Sequence, residues 1–324
     1  MKKIAIIGSG SWGSALAIYL ANRGNAVKIW SFNEDEKNSI NENRKCIFLP
    51  NATIPEVVYC STDFKEVIED ADMVLHVTPS KHTRSTLKQY KGYLKEEQLL
   101  VMCSKGFESE TMYTLDQVVK EEIPNIRYGV LSGPSHAEEV SLNIPTAMVV
   151  ASTDENLKAE VVDVFKSPTM RMYTSKDVKG VELGGSLKNI IAFCAGAAVG
   201  LELGDNSYAA LLTRGLVEIS RLGIAMGGEE KTFYGLTGLG DLIVTCGSQH
   251  SRNRKAGYLV GKGYSIDETR KEVGMTIESI DNIEVAKELS EKLDVSMPIV
   301  NAVYDILYNN LKPNDAIRTL MTRE

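Results

Sequence analysis

Basic charge is what this chain is short of. Its 324 residues carry 36 Lys and Arg against 43 Asp and Glu, a net charge of −7. No dominant basic field exists to neutralise a phosphate backbone, which argues against general nucleic-acid binding. Cysteine is sparse as well. Cys46, Cys60, Cys103, Cys194 and Cys246 are odd in number and widely spaced, with no C-x-x-C pair. That excludes a disulfide framework and a zinc ribbon, and fits a reduced, cytoplasmic chain. The four histidines are scattered and form no H-E-x-x-H, so no metal site is expected. Long apolar runs are missing too. The run after Met1-Lys2-Lys3 breaks at Gly8, too soon for a secretory leader. The stretch 189–204 is shorter than the roughly 20 residues of a membrane span and is full of Ala and Gly. It reads as a buried core helix with close backbone packing.

What is present begins at once. Lys3-Ile4-Ala5-Ile6-Ile7 is short, apolar and β-branched, a buried parallel strand by pattern. The run 14–23 is rich in Ala and Leu and reads as a helix that Gly24 stops. Between them lies Gly8-Ser9-Gly10-Ser11-Trp12-Gly13. A G-x-G-x-x-G at a strand-to-helix turn has a mechanism. Gly8 serves the tight turn, Gly10 lets a pyrophosphate approach the backbone, and Gly13 lets the helix pack on the strand. The helix N-terminus then faces the phosphates. This placement predicts dinucleotide binding.

A length of 324 residues suits two domains. Strands are expected at 26–32, 57–59, 73–77, 99–103, 128–131 and 147–151, with helices at 33–43, 62–70 and 155–165. Such alternation implies a doubly wound, mostly parallel sheet covered on both faces. The segment 170–173 is the last candidate strand. From Lys176 onward the pattern is helical, with helices expected at 188–200, 209–226, 279–293, 298–311 and 315–322. The domains are therefore drawn at 1–175 and 176–324, with the active site expected in the cleft between them.

Three segments follow strand ends: Thr78-Pro79-Ser80, Ser104-Lys105-Gly106 and Ser132-Gly133-Pro134-Ser135. Ligands sit at such ends in doubly wound sheets, which favours a ligand role for Lys105, the one cation among them. In the helical part, Gly184-Gly185-Ser186-Leu187-Lys188-Asn189 is expected to precede an apolar helix. Lys188 at its edge has two readings. Desolvation suits it to proton transfer, or it snorkels with a packing role, which composition alone favours. Asp241, in Gly238-Leu239-Gly240-Asp241-Leu242, is placed to hold a hydroxyl or orient a lysine. Ser251-Arg252-Asn253 offers donors suited to a phosphate, or else begins a solvated basic helix.

On these motifs, with Ser104-Lys105-Gly106-Phe107-Glu108, Gly204-Asp205-Asn206 and Thr213-Arg214-Gly215 added, the chain closely resembles bacterial NAD(P)-dependent glycerol-3-phosphate dehydrogenases from end to end. The resemblance implies an N-terminal Rossmann-like domain and an all-helical C-terminal domain. It implies NAD(H) or NADP(H) as cofactor and reduction of dihydroxyacetone phosphate to sn-glycerol 3-phosphate, feeding phospholipid synthesis. It makes Lys188 the proton donor and acceptor. Lys105, Gly133, Ser135, Asp241, Ser251, Arg252 and Asn253 would contact substrate, with Asn189 and Thr245 beside them. The glycine loop, Ser11, Trp12, Lys105, Ala137, Arg252 and Glu278 would contact the dinucleotide. A phosphorylated small molecule is the partner implied, and a homodimer is compatible with all of this. Hydroxyacid and nucleotide-sugar dehydrogenases share the two-domain plan, but do not call for Arg252-Asn253 together with Lys188-Asn189. A redox sensor would not need Lys188, Lys105 and Asp241.

The chain departs from such relatives at His136 (often Phe), Tyr208 (often Lys) and Ser279 (usually Gly). The most informative departure is at the end of the second strand, Ile29-Trp30-Ser31-Phe32-Asn33. Many relatives place an Arg after the tryptophan. Here Ser31 stands there and Glu34 and Asp35 follow, with no cation before Lys37. NADH is therefore expected to serve at least as well as NADPH.

Overall fold

The computed structural model describes residues 1–322; Arg323 and Glu324, the end of the expected helical domain, lie outside the described residues. The chain forms two compact units, one of residues 1–104 with 115–178, the other of Lys105–Thr114 with the chain from Lys179 onward.

The first unit alternates strand and helix as the apolar runs demand. In order they are β1 (Lys3–Ile7), α1 (Ser11–Asn22), β2 (Ala26–Trp30), α2 (Glu34–Glu42), β3 (Val58–Ser61), α3 (Phe64–Ile68) and β4 (Met73–His76). Next come α4 (Thr83–Tyr90), β5 (Leu99–Met102), α5 (Leu115–Glu122), β6 (Arg127–Ser132) and α6 (Ala137–Ser141). The unit closes with β7 (Thr146–Ala151), α7 (Glu155–Phe165) and β8 (Met170–Ser175). One eight-stranded sheet results, in the order β3-β2-β1-β4-β5-β6-β7-β8. All neighbours are parallel except β6 with β7. The order reverses between β1 and β4, the switch point where doubly wound sheets bind ligands. β1, β4 and β5 are buried on both faces, apart from the exposed Lys3, which accounts for their unbroken apolar composition. The 170–173 segment is a full strand, parallel to β7. Asp63 caps α3 and Asn33 caps α2 by accepting first-turn N–H groups.

The second unit is helical. It holds α8 (Val178–Gly200), α9 (Asp205–Ala225), α10 (Glu230–Phe233), a π-type turn at Leu236–Gly240 and α11 (Asp241–Gly247). Then come α12 (Arg252–Gly261), α13 (Ile266–Val273), α14 (Glu278–Lys292), α15 (Pro298–Tyr308) and α16 (Pro313–Met321). Its own apolar core gathers side chains of α8, α9, α14 and α15 around Phe193, Ile219, Ile283 and Val303.

The structure corrects two expectations here. α8 begins at Val178, ten residues before the expected start. Gly184-Gly185 looks like a helix breaker but lies inside the helix, because a Cβ on Gly184 would sit 2.8 Å from the Thr237 carbonyl. The glycine permits close packing and does not end the helix. Residues 189–200 of that apolar stretch are thus the second half of a 23-residue helix, which by length and composition could cross a membrane. Its burial gives it another role, since 89% of its apolar window lies inside the protein. That helix packs backbone to backbone on α12. Cβ atoms on Gly196, Gly257 and Gly261 would fall 2.0, 1.8 and 2.5 Å from the carbonyls of Arg254, Phe193 and Ala197.

Candidate active site

In the first unit the candidate residues line the glycine loop and the ends of β4 and β6. Gly8 has φ +125°, and a Cβ there would meet the Val77 backbone at 3.1 Å. Gly13 packs so closely that a Cβ would fall 1.9 Å from the Gly8 carbonyl. Gly10 differs, because nothing lies within 4 Å of a Cβ built on it. Two glycines hold the turn and the middle one leaves its backbone open. Gly10 is also the N-cap of α1, with no side chain covering it and no acid in the first turn. The uncapped N–H groups of Ser11, Trp12 and Gly13 suit a pyrophosphate, so the loop fits a dinucleotide. Trp12 packs partly buried on the core. Gly133, at φ +130°, ends β6, and Ser135 Oγ donates to the Gly133 carbonyl at 3.0 Å. Ala137 is buried at the start of α6.

The second unit contains the denser constellation. Lys188 is not at a helix edge but in the middle of α8, 5% exposed. Its Nζ donates to Asp241 Oδ1 at 2.7 Å and to Thr245 Oγ1 at 2.6 Å. Thr245 Oγ1 in turn donates to Asp241 Oδ1 at 3.2 Å. Asp241 and Thr245 stand four apart on α11, so one helical turn presents both to the lysine. The other carboxylate oxygen, Oδ2, accepts from Lys105 Nζ at 2.6 Å. One buried carboxylate therefore bridges two ammonium groups.

Electrostatics follow from this arrangement. Burial pushes the Lys188 ammonium down to about 8; Asp241 opposes that and Lys105 adds to it. Burial works against ionised Asp241, yet Lys105 and Lys188 hold its carboxyl below the usual range. Two of the three Lys188 hydrogens are committed, and the third has no partner among the described residues.

The remaining candidates divide. Asn189 Nδ2 donates to Glu278 Oε2 at 2.7 Å, tying α8 to the first residue of α14. Ser251 is the N-cap of α12, accepting from Arg254 N–H at 3.2 Å. Asn253 Oδ1 accepts from Ser279 N–H at 2.9 Å. The Asn253 acceptor and Ser251 thus serve the backbone. Arg252 has no hydrogen-bond or ion-pair partner among the described residues. Two groups escaped the sequence reading. Ser186 Oγ accepts from Gly106 N–H at 2.8 Å, and Asn282 Oδ1 accepts from Phe107 N–H at 3.3 Å. They pin the loop that carries Lys105. Ser186 lies two residues before Lys188, a signal that was visible; Asn282 had none.

The family models settle the lineage. The N-terminal model of NAD-dependent glycerol-3-phosphate dehydrogenase matches residues 3–158 and the C-terminal model matches 177–318. The chain belongs to the NAD-dependent glycerol-3-phosphate dehydrogenase family. Among its relatives, a Fusobacterium nucleatum glycerol-3-phosphate dehydrogenase [NAD(P)+] is 46% identical, over 100% of this chain and 98% of that one. A protein of the same description from Agathobacter rectalis is also 46% identical, over 100% and 97%. The crystal structure of Coxiella burnetii glycerol-3-phosphate dehydrogenase superposes with a TM-score of 0.95 at 36% identity, covering 99% of each chain. A Saccharomyces cerevisiae glycerol-3-phosphate dehydrogenase superposes with a TM-score of 0.82 at 28% identity, over 97% and 98%.

Proposed function

We propose that the chain is an NAD(P)-dependent glycerol-3-phosphate dehydrogenase that reduces dihydroxyacetone phosphate to sn-glycerol 3-phosphate for glycerophospholipid synthesis, with Lys188 as the acid. The observation that carries this reading is the buried Lys188 ammonium, held by Asp241 and Thr245 with one hydrogen free. When bound, the reduced nicotinamide supplies a hydride to the ketone carbon. The ketone oxygen then takes a proton, and Lys188 Nζ is the donor; in the reverse direction the neutral amine accepts it. Asp241 and Thr245 fix Nζ so that its remaining hydrogen has one direction, which is worth part of the barrier through orientation alone. Lys105 adds a second positive charge beside Asp241, favouring an anionic substrate and a developing alkoxide.

Arg252 is the phosphate clamp in this reading. Its guanidinium is uncommitted, and a planar fork matches a phosphate in two bonds. The Asn253 amide group, Ser251, Asn189, Gly133 and Ser135 complete the proposed substrate contacts. The open backbone at Gly10, with Ser11, Trp12, Ala137, Arg252 and Glu278, takes the dinucleotide. Five cysteines that are all free support a cytoplasmic location.

Replacing the ammonium tests the assignment. Lys188→Met is expected to bind NADH normally and to lose turnover of dihydroxyacetone phosphate by about 10²-fold or more. Near-normal turnover in that variant would remove Lys188 from the chemistry.

A further inference from the structure

The first turn of α2 carries three acids, Glu34, Asp35 and Glu36, and they face different partners. Glu34 Oε2 pairs with Lys37 Nζ at 2.8 Å, and its Oε1 accepts from Thr62 Oγ1 at 2.7 Å. Asp35 is exposed and its carboxylate holds no partner among the described residues. Glu36 turns inward. Its Oε2 accepts from Ser31 Oγ at 2.9 Å and, in a short bond, from Ser9 Oγ. The Ser9 and Ser31 hydroxyl oxygens lie 2.8 Å apart.

These contacts place a carboxylate where the cofactor loop meets the end of β2. Ser9 lies between Gly8 and Gly10. Ser31 is the first residue after β2, fully buried, with its N–H on the Ser61 carbonyl at 3.0 Å. The Asn33 side chain accepts the Glu36 N–H at 3.3 Å, which fixes the turn that carries the acid. Glu36 Oε1 has no partner among the described residues. Lys37, the first cation after β2, is committed to Glu34.

In doubly wound dinucleotide sites, an acid near the end of the second strand accepts from the adenosine ribose 2′-hydroxyl. A 2′-phosphate needs an arginine there instead. Here the fixed charge is negative and the first cation after β2, Lys37, is paired with Glu34. A 2′-phosphate dianion beside Glu36 meets like charge in a partly desolvated place, where repulsion is strong. We infer that Glu36, through its bonds to Ser9 and Ser31, sets a preference for NADH over NADPH. This rests on the family's use of a nicotinamide dinucleotide and not on Lys188 or on the substrate.

The experiment is a fluorescence titration of NADH and of NADPH, without substrate, on the unaltered protein, Glu36→Gln and Asp35→Asn. Failure of the dehydrogenase reading would leave these binding constants intact, so the two ideas fail separately. The unaltered protein is expected to bind NADH at least about tenfold more tightly, or about 1.4 kcal/mol. Glu36→Gln is expected to reduce that ratio by about tenfold, mainly by tightening NADPH. Asp35→Asn removes the same charge one residue away and should shift the ratio less than threefold. Equal or tighter NADPH binding by the unaltered protein overturns the inference, whatever becomes of the variants. An unchanged ratio in Glu36→Gln, or an equal shift in Asp35→Asn, overturns the assignment to Glu36.

Discussion

At the residue scale one shared carboxylate organises the site. Asp241 receives Lys188 on one oxygen and Lys105 on the other, so its charge does two things. It holds Nζ in place, and it keeps Lys188 protonated against the burial that pulls the ammonium down to about 8. The sign of the pH effect follows. In the proposed reaction reduction needs the ammonium, so kcat/KM for dihydroxyacetone phosphate should be level below about 8 and fall as pH rises through it. Oxidation of glycerol 3-phosphate needs the free amine and should rise over the same range. Removing the supporting charge lowers the lysine further, so Asp241→Asn should move the limb of the reduction profile down by about one unit or more. A profile unmoved in Asp241→Asn would show that the carboxylate does not act through Lys188. The sequence offered Asp241 to a hydroxyl or to a lysine, but did not say which lysine. Lys188 and Asp241 are 53 positions apart, and only the fold brings them into contact. Lys188 itself was open to a packing role on composition, because a lysine in an apolar helix has the same local signature whether it snorkels or is held inside.

At the element scale the structure depends on α8 and what it packs against. The glycines of α8 and α12 put two helix backbones in contact, which positions Arg252 and Asn253 at the start of α12. A Cβ at Gly257 would fall 1.8 Å from the Phe193 carbonyl, and backbone cannot yield as a side-chain tip can. Gly257→Ala should cost about 3 kcal/mol, an overpacking penalty, and raise KM for dihydroxyacetone phosphate more than it weakens NADH binding. An unchanged melting temperature would show that the two helices separate without cost. A second element-scale device is Glu218 on α9. Its carboxylate is 2% exposed and accepts from Ile299 N–H at 2.8 Å and Val300 N–H at 3.1 Å, at the start of α15. Burial pushes it up to about 7, against the pull of those two bonds. The folded value lies above the unfolded one, so the stability it contributes is complete below about 4.5 and is lost as pH rises through about 7. Thermal unfolding of Glu218→Gln should lack that decline between pH 5 and 7.5. Parallel slopes in the two proteins would contradict it. Most elements were legible from period and punctuation: β1, the 155–165 helix and Pro298 at the first position of α15 are written in local sequence. The start of α8 was not, because Gly184 answers to Thr237 rather than to its neighbours.

At the scale of the whole molecule, the doubly wound sheet and the helical unit were readable because alternation and its cessation near Lys176 are patterns over tens of residues. The strand order β3-β2-β1-β4-β5-β6 and the glycine loop together suit a dinucleotide at the switch point. The membership of the 105–114 segment in the helical unit was not readable, since it rests on bonds from Gly106 and Phe107 to Ser186 and Asn282. The protein is acidic overall, at −7, yet the proposed site sets Lys188 and Lys105 around a single carboxylate and leaves Arg252 unpaired. Two ammonium groups sharing one carboxylate, with an unpaired guanidinium, suit a small anion, and in the proposed reaction that anion is the phosphate. The most direct measurement compares NADH oxidation with dihydroxyacetone phosphate and with unphosphorylated dihydroxyacetone. Saturable turnover of the phosphate ester, at a kcat/KM about 10²-fold or more above that of the free ketone, is the predicted result; equal turnover of the two, or none of either, would contradict it.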